Sequence, residues 1–146
     1  MNRKRITGVI PGLLVLLFMY TGADKLFGLD SFTYSMYNQP IPHGLAFFLA
    51  RLIPVVEILT ALCLLFPATQ RIGLYSSFIL LFIFSIYIAL ILLHFFRKIP
   101  CSCAGIFRRI TWQQHLWINL FLLALTGLAL SPALQKPFRS PLKQSI

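Results

Sequence analysis

The sequence predicts an all-α integral membrane protein, a four-helix bundle with both termini on the cytoplasmic side. Three observations carry this. Hydrophobic residues make up 58% of the 146 and charged residues only 11%, where a soluble domain carries about 25% charged residues. Four apolar stretches each approach the roughly 20 residues needed to cross a bilayer. The basic residues that give a net charge of +10 cluster between or beside those stretches, as charge does at headgroup level. That placement, with no soluble segment able to form a basic face, excludes nucleic acid as the partner. The hydrophobicity excludes a disordered chain.

The first span runs from about Ile6 to Ala23. It follows Arg3-Lys4-Arg5, and its basic start and apolar run could be read as a signal peptide. The run is longer than the usual signal core of about 7–15 residues, so a retained helix is expected. The second span covers Gly44 to Phe66 and stops at Pro67. The third covers Ile72 to Phe96, before Pro100, and the fourth Thr111 to Leu130, before Ser131-Pro132. Residues 1–134 are expected to form one transmembrane domain and 135–146 a basic cytoplasmic tail.

Orientation is read from Lys and Arg in the short loops. With the N-terminus inside, Arg3, Lys4, Arg5, Arg71, Lys136, Arg139 and Lys143 are internal. Lys25, Arg97, Lys98, Arg108 and Arg109 are external. The excess is slight, and the three basic residues before the first helix favour N-in, C-in. The segments Asp24–His43 and Arg97–Ile110 then face outward.

The chemistry concentrates in Cys101-Ser102-Cys103, between the third and fourth spans. Two cysteines one residue apart can close a small, strained ring that reduces easily. The basic neighbours favour the reactive thiolate. A redox pair is one reading, a static bridge or idle thiols a second. A third is a metal site, since His94 and His115 would complete a Cys2His2 set suited to zinc or copper. Cys63, a span away, reads as a small buried apolar residue.

Glu57 lies near the middle of the second span, where a carboxylate needs a partner. Arg51 is about 9 Å nearer the outer end and about 240° around the helix, so the two do not share a face. Each is expected to pair with a different helix, and Pro54 between them removes a backbone hydrogen bond. A structural ion pair and a protonated Glu57 that locks packing both remain open. His115 and Asn119, four apart, share a face of the fourth helix. With Tyr20, Asp24, Lys25 and His94 they place polar groups in the outer half of every helix, and the inner halves read as almost wholly apolar. Trp112, Trp117 and Tyr37 read as interface-belt aromatics.

The order of these elements resembles the MauE branch of the DoxX-like membrane proteins, over about Ile6 to Leu130. The residues that carry the resemblance are Thr21-Gly22-Ala23-Asp24-Lys25-Leu26, Phe32, Tyr37 and Pro42, Pro54-Val55-Val56-Glu57 with Leu64-Leu65, and Cys101-Ser102-Cys103-Ala104-Gly105. The Lys25 and Pro54/Glu57 elements are shared by the wider group, and the C-x-C-x-G element points to MauE. The resemblance implies a four-helix protein of the bacterial inner membrane linked to redox processes. MauE is associated with maturation of a periplasmic, disulfide-rich subunit of methylamine dehydrogenase, and DoxX relatives with thiosulfate and quinone oxidation. It further implies Cys101 and Cys103 as the redox pair and Lys25, Arg51 and Glu57 as the polar core. Ala104 departs from the pattern, which usually has Phe before the glycine.

The expected function is therefore thiol–disulfide or electron transfer. Cys101 and Cys103 act as the catalytic pair, with a thioredoxin-like or disulfide-containing protein outside as partner. Quinone is the candidate cofactor, near Arg51, Glu57, His115 and Asn119. The alternative is a non-enzymatic accessory subunit of a larger membrane complex with a static cysteine loop.

Overall fold

The computed structural model describes residues 3–95 and 111–131, with side chains described from Gly8 onward. Cys101 and Cys103, the basic residues Arg97, Lys98, Arg108 and Arg109, and the tail 135–146 lie outside the described residues, as do the side chains of Arg3, Lys4 and Arg5.

The described residues form five helices and no strand: α1 (Arg3–Phe27), α2 (Leu29–Tyr37), α3 (His43–Leu65), α4 (Gln70–Leu92) and α5 (Trp112–Leu130). Four of them, α1, α3, α4 and α5, are long and apolar enough to span a membrane. α1 packs mainly along α3 and α5 mainly along α4, while α3 and α4 join the two pairs. The start of α3, the end of α4 and the start of α5 thus share one end of the molecule, called the rim below, and α1 runs toward it.

Two features differ from the sequence reading. The stretch after the first span, expected as a loop, contains α2. Leu29, Phe32 and Met36 recur at helical spacing, and Phe32 and Met36 are buried against Ala46 and Ala50 of α3. This is the one-sided stripe of an amphipathic helix. The third span was expected to reach Phe96, but α4 ends at Leu92. It closes with His94 in the left-handed region, at φ 54°. The His94 N–H donates to the Ile91 carbonyl (3.0 Å) and the Phe95 N–H to the Leu90 carbonyl (3.1 Å). These are the paired bonds of a Schellman motif, which usually places glycine at that position.

The turn between α3 and α4 is tight. The Thr69 hydroxyl donates to the Cys63 carbonyl at 2.9 Å. α5 starts with a capping box. The Gln114 N–H donates to the Thr111 hydroxyl, and the Gln114 side-chain oxygen accepts from the Thr111 N–H.

Away from the rim the core is apolar, built on Ile10, Leu14, Phe18, Ala61, Leu64, Leu74, Leu81, Leu122 and Ala129. Ser77 and Thr126 are also buried there. Their hydroxyls donate to the carbonyls of Gly73 and Leu122, one turn back on their own helices, each at 2.7 Å. They are satisfied without a partner helix.

Candidate functional site at the rim

The site is built on a close approach of α1 and α3. Gly22 makes it possible: a Cβ there would lie 2.8 Å from Ile58 Cγ1, 3.2 Å from the Pro54 carbonyl oxygen and 3.3 Å from Glu57 Cβ. Pro54 is itself fully buried at this crossing. One turn further along α1, Lys25 then meets Glu57. Its Nζ donates to Oε1 at 2.7 Å and to Oε2 at 2.9 Å. The side chains are 12% and 3% exposed, so both charges are withdrawn from solvent and engage each other through two charge-assisted bonds. The Thr21 hydroxyl also lies beside the Glu57 carboxylate.

α2 roofs this pair. The Phe32 ring centroid lies 5.8 Å from Lys25 Nζ, within range of a cation–π contact. The chain leaving α2 is tied to α4 by a hydrogen bond from the Tyr87 hydroxyl to the Gln39 side-chain oxygen. From the opposite side α5 contributes His115, close enough to feel the Lys25 charge. One turn deeper is Asn119, only 6% exposed. Its Nδ2 has no hydrogen-bond acceptor among the described residues. A buried amide donor without an acceptor costs about 1–3 kcal/mol, so the position invites one.

The structure thus pairs Lys25 with Glu57 and sets His115 on the same side of the molecule as Lys25. It does not bring Arg51 to them. Arg51 is exposed, its guanidinium 3.6 Å from the Phe47 ring centroid. The expectation that Arg51 pairs with another helix does not hold among the described residues. The reason is the angular offset from Glu57: with Glu57 turned inward to α1, Arg51 is turned out.

Sequence reasoning named Thr21 and Phe32 only as part of the family resemblance, without a role at the site, and missed the Gln39–Tyr87 tie. The spacing of Leu29, Phe32 and Met36 was the available signal for Phe32; the Gln39–Tyr87 contact has no local signature. Among the described residues no group of three or more His, Cys, Asp or Glu could hold a metal ion. The proposed Cys2His2 set needs Cys101 and Cys103, outside those residues.

Chemically, the described site offers a neutralised ion pair, an imidazole and an amide donor, arranged at one end of an apolar helix assembly. A family model described as "Methylamine utilisation protein MauE" matches residues 3–132. No curated protein and no solved structure matches the chain.

Proposed function

Because the chain belongs to the MauE family, we propose that it is a multi-pass accessory protein of the bacterial inner membrane that exchanges disulfides with a partner outside the cytoplasm. The observation that carries the proposal is the one-sided placement of polar groups. His115 and Asn119 lie in the rim half of α5, Lys25 near the end of α1 reaches Glu57 at mid-span, and α4 ends and α5 begins at the rim. The 19 residues between them, 93–111, include Cys101 and Cys103 and join the two helices at that end.

In this reading the rim faces the periplasm and both termini the cytoplasm. A partner thiolate attacks one sulfur of a Cys101–Cys103 disulfide, and the other sulfur leaves as thiolate. A second partner thiolate then resolves the mixed disulfide. The partner gains a disulfide and loses two electrons; Cys101 and Cys103 become two thiols. The partner is a thioredoxin-like or disulfide-containing protein, and the family description extends the proposal to the machinery of methylamine utilisation. The exchange is reversible, so the same chemistry serves a partner that delivers a disulfide.

A quinone fits the donor set. The buried Asn119 Nδ2 lacks an acceptor among the described residues, and a quinone carbonyl oxygen is one. When bound, a quinone would supply a two-electron, two-proton acceptor. The chain's own contribution is to orient the carbonyl through Asn119, with Lys25 and Glu57 fixing the local charge.

A second reading, an accessory subunit with a static cysteine loop, is favoured by the closed Lys25–Glu57 pair. Its two bonds engage each residue with the other, as in a packing lock. Trapping separates the two. Cys101→Ser and Cys103→Ser chains, expressed in cells and resolved without reductant, should each accumulate a mixed disulfide or lose one the wild type forms. If neither captures a partner and the double variant keeps full function, the redox reading is wrong.

A further inference from the structure

We propose that Arg51 is an anchor for the phosphate of an anionic phospholipid, in the leaflet at the rim. Arginine within a span normally turns to the protein interior or to a cavity. Arg51 does neither: it lies on the exposed face of α3, among Phe47, Phe48, Leu52 and Val55, all exposed.

Its depth and direction identify the ligand. α3 has 23 residues, about 35 Å at 1.5 Å per residue, against a hydrocarbon layer of about 30 Å. With α3 centred, the Arg51 backbone lies about 10 Å below the boundary and Phe47 about 4 Å below it. Side chains lean toward the helix N-terminus, which for α3 is the rim. Arg51 follows that lean. Its guanidinium rests on the Phe47 ring, and Nη1 donates to the Phe47 carbonyl at 3.4 Å. It is therefore drawn up toward headgroup level, as snorkelling arginines are.

A guanidinium has five N–H donors, and among the described residues only this bond uses one. The rest form a fork suited to a phosphate held by two oxygens. Among the described residues there is no counter-ion for it. Asp and Glu number three in all, Glu57 is committed to Lys25, and no carboxylate among the described residues lies within ion-pair distance of Arg51. A second copy is a poor partner for the same reason, with a net charge of +10 on each chain. The anionic headgroup supplies the missing charge.

Native mass spectrometry of the full-length protein in detergent tests this, with phosphatidylglycerol or phosphatidylcholine added. The wild type should retain at least one phosphatidylglycerol in preference to phosphatidylcholine. Arg51→Gln should weaken retention of one such lipid by about tenfold, the scale of one charge-assisted contact, and Arg51→Lys by less. Excess inorganic phosphate should not displace it. Should Arg51→Gln fail to fold, the wild-type lipid preference and the Arg51→Lys loss decide alone. The proposal is overturned by equal retention in wild type and variant, by no preference between the lipids, or by displacement with free phosphate. It is also overturned if Arg51→Gln dissociates a dimer or a bound protein and leaves lipid occupancy unchanged.

Discussion

Glu57 shows how one residue can organise a membrane protein. A carboxylate this far into a span is tolerated because Lys25 reaches it from α1 with two hydrogen bonds. Breaking such a pair leaves one charge buried alone, which costs about 3–5 kcal/mol. Glu57→Leu and Lys25→Met are each expected to lower the unfolding free energy by about that amount, read by chemical unfolding in detergent. The double variant should recover most of it, because no charge is left unpaired. If the double variant is as unstable as the worse single variant, the pair is not the cause. Asn119 makes the opposite case. Asn119→Leu removes a buried donor that has no acceptor among the described residues, so stability should stay level or rise by about 1 kcal/mol. A loss of more than that would show that the amide already has a protein partner.

Among the helices, two positions carry the argument. Gly22 sits where a Cβ would press on Ile58 and on the Pro54 carbonyl. Gly22→Ala must push α1 from α3, at a cost of about 1–3 kcal/mol for overpacking. Because the same crossing sets the Lys25–Glu57 distance, the loss should be smaller in the Lys25→Met/Glu57→Leu background. Equal losses in both would separate the crossing from the ion pair. His94 ends α4 with a left-handed backbone at φ 54°, a conformation that costs a residue with a Cβ about 1–2 kcal/mol. His94→Gly is expected to raise the melting temperature of the purified protein. If stability falls instead, the imidazole makes a contact worth more than the strain. α2 belongs to this scale too. Its apolar stripe was legible at Leu29, Phe32 and Met36, but at nine residues it is too short to span a bilayer. Only packing against α3 shows it as a roof over Lys25.

For the whole molecule, the distribution of polarity is the main result. Among the described residues the rim half holds the imidazole and the orphaned amide and the ion pair sits at mid-span, while the buried hydroxyls of Ser77, Ser85 and Thr126 are satisfied by their own helices. If that rim faces the periplasm, a reporter active only in the cytoplasm should be active when fused after Ile146, and one active only outside should not. A membrane-impermeant thiol reagent should label Cys101 and Cys103 in intact cells after mild reduction, and leave Cys63 unlabelled. Labelling of Cys63 in preference to the pair would invert the topology.

The sequence by itself determined the four long helices, because spanning a bilayer imposes a length and an apolar composition that can be counted along the chain. It also determined that Lys25, His115 and Asn119 would lie toward one end and Glu57 near mid-span, since depth along a helix follows from residue number at 1.5 Å per residue. Which of them meet was decided only by tertiary structure. Partner choice depends on how each helix is rotated and how closely it approaches its neighbour, and neither is written in local spacing. Gly22 let α1 come close enough for Lys25 to reach Glu57. The rotation that turned Glu57 inward turned Arg51 out, from the expected polar core to the outer face of α3.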